Sequence, residues 1–184
     1  MKNYHYEDGL ESDRLITKFI QKKDWKIWSD FFDGNGDYTF LPTFEETEPD
    51  KIAMKWTDHQ LKRYEEKTFG MQWMIEKETG EYLGQCGLLF QDINGTRELE
   101  VGYSFFKSAW GGGYAIEAAK LMRDYGFMNF DVEKVISLVD PGNRPSQKVA
   151  ERNGMTKGPL VHWKGVNLNV WRIEREDWSN IQSS

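Results

Sequence analysis

The 184-residue sequence predicts one domain of the mixed α+β class, a three-layer fold with helices packed on a central sheet. Segments with strand and helix patterns follow one another in the order β-α-α-β-β-β-α-β-α-β-β. Three strands in the middle are consecutive and joined by short turns, which favours a largely antiparallel sheet. No internal repeat or Pro/Ser-rich linker suggests a boundary, so residues 1–184 are expected to form a single domain.

The first third of the chain predicts one strand and two helices. Residues 15–20 alternate partly between apolar and polar side chains, as a strand does. Residues 23–32 predict a short helix with Asp24 as a candidate cap. A turn-rich connection over 33–42 leads to a second helix over 49–66, whose apolar residues recur at helical spacing.

The middle of the chain predicts an antiparallel meander. Its strands are expected over residues 71–77, 82–91 and 98–106. Polar turns at 78–81 and 92–96 separate them, and both have the composition of hairpin turns.

The C-terminal half predicts helices and strands in alternation. A long helix begins at the glycines 111–113 and ends near residue 130, and a strand over 132–139 follows it. Residues 143–152 predict another helix, which the pair Asn153 and Gly154 ends. Two final strands are expected within 160–174.

Composition and charge narrow the class of protein. Hydrophobic residues make up 39% of the chain and aromatic residues 15%, which is typical of a globular rather than a disordered protein. The formal charge of −6 argues against a nucleic-acid binder that uses a broad basic surface. No stretch approaches the ~20 apolar residues of a membrane span, and no secretory signal precedes the first strand, so a cytoplasmic protein is expected.

One cysteine and three scattered histidines offer little to a metal ion. Cys86 alone excludes an internal disulfide and a multi-cysteine zinc site. His5, His59 and His162 lack the spacing of metal ligands and are expected at the surface or in packing. The sequence therefore predicts no metal site.

A glycine-rich segment between a strand and a helix is the first candidate site. Residues 110–115 read Trp-Gly-Gly-Gly-Tyr-Ala. Glycines let the backbone approach a ligand, and the free N–H groups of a helix start favour a phosphate or pyrophosphate. A plain turn with tight strand–helix packing explains the same glycines. The segment fits neither the phosphate loop of nucleotide triphosphatases nor a dinucleotide fingerprint.

Two acidic residues precede this segment on the predicted strand. Alternation places Glu98 and Glu100 on one face, together with Gly102 and Ser104. A carboxylate beside a phosphate-binding turn is a candidate general base. A solvated sheet face is the alternative interpretation, above all for Glu98.

A polar cluster over residues 140–146 leads into the next predicted helix. Asn143 is a natural N-cap, and Pro145 suits a first helical turn. Capping explains the cluster on its own. In the functional interpretation Asn143 and Ser146 face a ligand at the mouth of the sheet.

Together these segments resemble the GNAT superfamily of acyl-CoA-dependent N-acetyltransferases, and within it the RimJ/RimL-like branch that acetylates protein N-terminal amines. Five motifs carry the resemblance in the family's order and cover about residues 10–155. LESDRL (10–15) resembles the family's T-x-R-L, YLGQCGL (82–88) resembles its third strand, and EVGY (100–103) resembles E-I-G-Y. WGGGYAIEA (110–118) resembles W-G-K-G-Y-A-T-E-A. NRPS (143–146) resembles N-x-x-S, and VAERNGM (149–155) resembles V-x-E-K-L-G-F.

The resemblance implies a three-layer α-β-α fold with a mostly antiparallel seven-stranded sheet whose fourth and fifth strands splay apart. Acetyl-CoA, the implied cosubstrate, would lie between these strands, with its pyrophosphate on the glycine turn and its pantetheine along the preceding strand. The implied cofactor-binding residues are Tyr103, Ser104, Phe105, Ser108, Trp110, Gly111, Gly112, Gly113, Tyr114, Ala115, Asn143 and Ser146.

The implied reaction is direct attack of a neutral amine on the thioester in a ternary complex. Glu100 is the candidate base for the amine proton, and Glu98 is the alternative. A backbone N–H near Tyr103 or Ser104 would stabilise the oxyanion. Ser146 would assist the departing thiolate.

Two positions depart from the family's pattern. The usual Lys of the pyrophosphate turn is Gly112, and the usual Arg or Gln three residues before the first glycine is Ser108. Lys107 is a candidate source of the missing charge. These departures favour a non-catalytic acyl-CoA-binding protein that kept the fold, whereas the retained Glu100 and Ser146 favour an enzyme.

An N-acetyltransferase for a protein or peptide N-terminal amine is the main functional prediction. The alternative acceptor is a small amine such as an aminoglycoside, a polyamine or an amino acid. The resemblance implies that the first two helices and the last strands form the acceptor site, and these parts carry no readable motif. Trp25, Trp28 and Trp56 are candidates for lining it. No nucleic-acid or membrane partner is expected, and either a monomer or a homodimer fits the sequence.

Overall fold

The computed structural model describes residues 6–41 and 45–183, and these form seven strands and five α-helices. The strands are β1 (Leu15–Phe19), β2 (Phe69–Glu76), β3 (Tyr82–Ile93), β4 (Thr96–Phe105), β5 (Lys134–Val139), β6 (Thr156–Trp163) and β7 (Val166–Glu174). The helices are α1 (Trp25–Asp30), α2 (Pro49–Glu65), α3 (Tyr114–Asn129), α4 (Arg144–Arg152) and α5 (Arg175–Gln182). The predicted order and the mixed α+β class are confirmed. His5 and the end of the predicted connection, Pro42, lie outside the described residues.

The strands form one sheet in the order β1-β2-β3-β4-β5-β7-β6. Every neighbouring pair is antiparallel except β4 and β5, which are parallel. These two strands pair at a single position, Glu100 with Ile136, although β4 has ten residues and β5 six. Beyond that position they diverge, so the predicted splay of the fourth and fifth strands is confirmed.

Each face of the sheet is covered by its own hydrophobic core. Helix α3 and Ala150 of α4 pack on one face, where Leu88, Val101 and Met122 are fully buried. Helices α1 and α2 pack on the other face around Trp28 and other buried aromatic and aliphatic side chains. Leu99, Val101 and Phe105 of β4 belong to the first core, so Glu98, Glu100, Gly102 and Ser104 face the other side of the sheet. None of the helices in the described ranges is long and apolar enough to cross a membrane.

Two features of the C-terminal region go beyond the prediction. Helix α5 follows β7 directly, and none of its residues is buried, so its sequence lacks a clear apolar face. Trp178 anchors the helix by stacking on Phe127. Strand β6 begins at Thr156, earlier than predicted, although it contains Pro159. Because β6 is the edge strand and its register shifts between Lys157 and Leu160, the proline removes no ladder hydrogen bond that the sheet needs.

Asp24 has a different role from the helix cap that the sequence predicts. Its side chain does not cap α1; it is buried and accepts hydrogen bonds from the backbone N–H of Gln21 and the indole N–H of Trp73, each at 2.8 Å. Trp73 is fully buried on β2, so its N–H needs a partner inside the protein. The carboxylate thus ties the segment before α1 to the sheet.

Replacing Asp24 with alanine is expected to lower the free energy of unfolding by about 1–3 kcal/mol, because it leaves a buried indole donor without an acceptor. Urea unfolding measures the change. Asp13→Ala removes an exposed carboxylate nearby in sequence and is expected to change stability little. Equal effects of the two substitutions would contradict the assigned role.

Candidate active site

A cleft of about 770 Å³ lies where β4 and β5 diverge. Side chains of α2 line it from one face of the sheet, and side chains of α3 and α4 line it from the other, so it passes between the two strands from face to face. Most of the predicted site residues meet here, namely Glu100, Tyr103, Ser104, Phe105, Trp110, Gly111, Gly113, Tyr114, Ala115, Asn143 and Ser146. Ser108 and Gly112 are not part of its wall.

The glycine turn, residues 111–113, borders the cleft at the start of α3. Gly111 and Gly113 both have φ of +80°, a conformation that residues with a β-carbon rarely adopt. Gly113 occupies the N-cap position and has no side chain to bond the first N–H groups of the helix. A side chain at Gly111 would point into open space. The turn therefore presents backbone donors to an anion in the cleft.

Arg14 supports the glycine turn from outside the predicted motif. Its guanidinium donates to the carbonyl of Gly112 at 2.9 Å, lies 4.3 Å above the ring of Tyr114 and pairs with Glu117 at 2.6 Å. A β-carbon at Gly112 would lie only 2.8 Å from the Tyr114 ring. In this arrangement a side chain at position 112 would require the Tyr114 ring to move.

Lys107 and Ser108 are held by the turn that follows α1. The Lys107 ammonium donates to the carbonyl of Gly34 at 2.8 Å, and the Ser108 N–H donates to the side chain of Asn35 at 3.4 Å. Both residues therefore fix the position of the segment between β4 and α3. The predicted compensation of charge by Lys107 remains a prediction.

Glu100 lies at the point where the two strands separate. It is 7% exposed, and its carboxylate accepts hydrogen bonds from the side chain of Gln91 at 2.7 Å and from the backbone N–H of Leu138 at 3.2 Å. Burial raises the pKa of Glu100 above its ordinary value, and these two hydrogen bonds only partly oppose that shift. A carboxylate with a raised pKa accepts a proton more readily, as a general base must.

Glu98, the alternative base, has a different environment. Its carboxylate forms an ion pair with Lys134 at 2.9 Å and does not line the cleft. It is also farther from the splayed end of β4, since the strands still approach one another at Glu100. The geometry thus favours Glu100 over Glu98.

The backbone of β4 turns alternate N–H groups toward the opening. Phe106 donates to Leu83 of β3, and the two-residue period of an antiparallel ladder turns the N–H of Ser104 to β3 as well. The N–H of Tyr103 then points toward β5, as does the carbonyl of Val101, which accepts from the Ser137 hydroxyl at 2.7 Å. Of the two candidates for the free donor, the geometry therefore favours Tyr103 over Ser104.

Ser146 approaches the same opening from α4. The hydroxyl of Tyr103 donates to the backbone carbonyl of Ser146 at 2.9 Å, and the side chain of Asn143 accepts from the Ser146 N–H at 3.1 Å. Capping by Asn143 is thus confirmed. The Ser146 side-chain hydroxyl has no hydrogen-bond partner within the described part of the chain, and it lines the cleft.

Trp110 covers the end of β4. Its ring is half exposed, at 50%, and its indole N–H donates to the carbonyl of Phe105 at 3.0 Å. The carbonyl of Phe105 points to the same side of the strand as the N–H of Tyr103, because odd positions of β4 share that side. The backbone edge open to a ligand is therefore centred on Tyr103.

The sequence analysis missed the polar residues of α2 and of the β6–β7 turn. Lys55, His59 and Arg63 recur every four residues and line the cleft on one side of α2, and Lys164 joins them from the β6–β7 turn. A basic stripe at helical spacing is a signal readable from the sequence. His59 is exposed, as expected, and it also lines the cleft. Of the three tryptophans considered, Trp56 lines it, whereas Trp28 is fully buried in the core.

The cleft thus combines three chemical capacities: backbone donors for an anion at one end, a buried carboxylate at the crossing, and cationic side chains at the other end. In residues 6–41 and 45–183, no group of three or more His, Cys, Asp or Glu side chains is placed to hold a metal ion. The carboxylate can take a proton, and the donor at Tyr103 can stabilise a developing negative charge.

Comparison with known proteins identifies one family. The model of the acetyltransferase (GNAT) domain matches residues 14–156. The protein YkkB of Bacillus subtilis strain 168 is 34% identical over 149 residues, which cover 79% of this chain and 84% of YkkB. The sequence resemblance to this superfamily is therefore confirmed by an independent match.

Solved structures show the same fold. The acetyltransferase from Agrobacterium tumefaciens strain C58 superposes with a TM-score of 0.77 at 27% identity and covers 95% of this chain and 98% of its own. RimL, the ribosomal L7/L12 alpha-N-protein acetyltransferase in complex with coenzyme A, superposes with a TM-score of 0.72 at 14% identity, over 91% of this chain and 98% of its own. At that identity, the likeness to RimL concerns the fold.

Proposed function

Since this chain belongs to the GNAT family of acetyltransferases, we propose that it transfers the acetyl group of acetyl-CoA to a primary amine, with a peptide or protein N-terminal amine as the preferred acceptor. The observation that carries the proposal is the position of Glu100, whose buried carboxylate lies where the cleft crosses the sheet. A cosubstrate can approach this carboxylate from one face of the sheet and an acceptor from the other. The proposal includes the RimJ/RimL-like branch and a cytoplasmic location.

The residues present fit acetyl-CoA. Backbone N–H groups at Gly113, Tyr114 and Ala115 supply donors for the pyrophosphate, since the glycine turn leaves them without a capping side chain. The N–H of Tyr103 faces the opening and suits either strand-like pairing with pantetheine or the thioester oxygen. Asn143 and Ser146 complete the wall on the α4 side.

Each reacting group has a residue to serve it. An ammonium does not attack a thioester, so Glu100 takes the amine proton, directly or through water. As the nitrogen–carbon bond forms, the thioester oxygen gains negative charge, which the Tyr103 N–H stabilises. When the carbon–sulfur bond breaks, the electron pair leaves with sulfur, and the free hydroxyl of Ser146 donates to the thiolate.

Replacing Ser146 with alanine is expected to lower kcat by about 10–150-fold, the rate equivalent of one hydrogen bond to a charged group. The melting temperature should change little, because Asn143 caps the helix through the Ser146 backbone N–H and not through its hydroxyl. Steady-state kinetics and thermal melting measure the two quantities. The loss should shrink with an acyl donor whose thiol is more acidic, because that thiolate needs less help.

Ser179→Ala is a matched control for this substitution. The Ser179 hydroxyl donates to a backbone carbonyl within α5, and the residue does not line the cleft. Its removal should leave kcat unchanged. Equal rate losses in Ser146→Ala with both acyl donors, or a loss of stability without a loss of rate, would reject the leaving-group role.

The acceptor proposal rests on the resemblance to RimL-like enzymes, of which RimL is the ribosomal L7/L12 alpha-N-protein acetyltransferase. To test it, the protein is incubated with acetyl-CoA and each amine of a panel. Thiol release gives the rate, and mass spectrometry identifies the acetylated products. Peptides with free N-termini should be acetylated faster than polyamines, aminoglycosides or amino acids. Faster transfer to a small amine would reject the peptide N-terminus as the preferred acceptor and assign a small-molecule acceptor instead. CoA binding without transfer to any amine would favour a non-catalytic acyl-CoA-binding protein.

A further inference from the structure

The cleft is far more cationic than the protein as a whole. The chain carries a formal charge of −6, yet the cleft is lined by Lys55, His59, Arg63, Lys148, Arg152 and Lys164 and by only three carboxylates. Lys148 and Arg152 belong to α4, on the side of the cleft that the pyrophosphate-binding turn shares. The remaining cations belong to α2 and to the β6–β7 turn, and nothing in the proposed cosubstrate site uses them.

Arg63 is the deepest of these cations. The residue is 8% exposed, and its Nε has no hydrogen-bond partner within the described part of the chain. Its other nitrogens make only long hydrogen bonds, 3.4 Å to the carbonyl of Phe90 and 3.5 Å to the side chain of Gln91. Burying a charged guanidinium with so few hydrogen bonds destabilises the folded protein, and a bound anion would offset this penalty.

Lys164 and His59 gather around Arg63. Lys164 sits at positive φ, 46°, in the tight β6–β7 turn, where its ammonium lies 4.4 Å from the Trp163 ring and the Trp163 indole N–H bonds the carbonyl of Asp92. This anchoring fixes the lysine over the cleft. Burial, followed by repulsion from Arg63, lowers the pKa of both Lys164 and His59. The three cations are therefore close enough to repel one another.

The carboxylates of the cleft do not neutralise this cluster. Asp140 accepts from the N–H of Gly142 at 2.7 Å, and Asp37 accepts from the N–H of Thr39 at 3.1 Å. Glu100 is closest in effect, since its charge favours the charged forms of Arg63 and Lys164, but its oxygens already bond Gln91 and Leu138. Glu66, just after α2, also opposes the lowering of the pKa of Arg63 and of His59, but its carboxylate pairs with Lys62 at 3.7 Å. Glu100 and this shared carboxylate face three cations, so the cluster attracts a further anion.

We propose that Arg63, Lys164 and His59 form a binding subsite for an anionic group carried by the amine acceptor, so that the preferred acceptor is an amine with a nearby carboxylate or phosphate. This inference rests on the proposed acetyl transfer and adds the charge of the acceptor to it. The subsite adjoins Glu100, so an acceptor held there by its anionic group brings its amine to the base. The charge of the Arg63 guanidinium at the cleft wall would attract the anion, and the more exposed Lys164 and His59 would bond it directly.

Matched acceptors test the subsite. The peptides Ser-Glu-Ala-Ala-amide and Ser-Gln-Ala-Ala-amide differ by one charge, and phosphoethanolamine with ethanolamine forms a second pair for phosphate. The wild type should prefer the anionic member of at least one pair by about tenfold or more in kcat/KM, mainly through KM, as one charge-assisted hydrogen bond provides. The pair that shows the larger ratio identifies carboxylate or phosphate as the natural group. Equal kcat/KM values within both pairs would overturn the subsite.

Single substitutions assign the preference to the cluster. Lys164 lies in an exposed turn. Lys164→Gln should reduce the ratio of kcat/KM for the anionic to the neutral acceptor toward one, and Lys164→Glu should invert this ratio. Lys51→Gln removes an exposed charge from α2, outside the cleft wall, and should leave the preference intact. A preference that survives in Lys164→Glu, or that Lys51→Gln removes equally, would overturn the assignment.

A binding measurement separates this inference from the proposed reaction. Calorimetric titration of each peptide into the wild type with CoA requires no turnover. Tighter binding of the anionic peptide supports the subsite even if no acetyl group is transferred, in which case only the proposed reaction fails. Transfer to both peptides without any difference in affinity or rate supports the reaction and rejects the subsite.

Discussion

Replacing Glu100 with glutamine is expected to lower kcat by about 10²–10⁴-fold while CoA binding is retained, because the amine proton then has no carboxylate to accept it. The substitution keeps the size of the side chain and one acceptor oxygen for Gln91 or Leu138. Steady-state kinetics give the rate, calorimetry gives the affinity for CoA, and circular dichroism with thermal melting establishes that the variant is folded.

Two further substitutions sharpen this test. Glu98→Gln removes a carboxylate from the same strand, one that pairs with Lys134 outside the cleft, and should leave kcat nearly unchanged. Glu100→Asp keeps the charge and should retain more activity than Glu100→Gln. An unchanged rate in Glu100→Gln would transfer the role to water, and a large loss in Glu98→Gln alone would transfer it to that residue.

The raised pKa of Glu100 gives the wild type a characteristic pH dependence. Activity requires the ionised carboxylate, so the acid limb of kcat/KM should lie above the ordinary value of 4.5, and Glu100→Gln should lack this limb. The folded-state pKa exceeds the unfolded one, so this group stabilises the fold most below the unfolded pKa, and the contribution is lost as pH rises through the folded pKa. The stability of Glu100→Gln relative to wild type should therefore increase over that interval.

Most of the fold can be predicted from patterns that are local in the sequence. The meander of β2, β3 and β4 follows from polar turns between apolar runs, and α4 follows from Asn143 and the Asn153–Gly154 stop, because these signals act within a few residues. Helix α5 was missed because it is held by long-range contacts of Trp178, which stacks on Phe127 and donates to Asp124. The role of Asp24 was missed for the same reason, since its partner Trp73 is 49 residues away.

The residues of the candidate site likewise fall into those with local sequence signals and those that depend on long-range contacts. Glu100 and the glycine turn could be chosen as candidates because strand alternation and helix starts are local signals, and the family resemblance placed them in order. The choice of Tyr103 over Ser104 required the ladder register between β3 and β4, which no single strand reveals. The cluster of Arg63 with Lys164 was invisible because the β6–β7 turn reaches α2 only through the folded sheet. Resemblance also could not show that Arg14 supports the glycine turn by bonding the carbonyl of Gly112.

Replacing Gly113 with valine is expected to abolish measurable CoA binding while the domain still folds. The φ of +80° at this position is strained for any residue with a β-carbon and most of all for a β-branched one. The nearest atom to a new β-carbon is Arg14 Nη2 at 3.5 Å, an ordinary contact, so no clash in the core is expected. The strain is relieved by rotating the turn, which moves the first N–H groups of α3 away from the pyrophosphate position.

Gly80→Val separates this loss of binding from a loss of stability. Gly80 has nearly the same φ, +74°, with open space around its β-carbon position, and it lies in the β2–β3 turn outside the cleft. Both substitutions should lower the free energy of unfolding by a similar amount, about 1–3 kcal/mol, because both place valine in the left-handed region. Only Gly113→Val should lose the calorimetric heat of CoA binding. If Gly80→Val lost it equally, the effect would come from destabilisation, and if Gly113→Val bound CoA with wild-type affinity, the glycine turn would not be the pyrophosphate site.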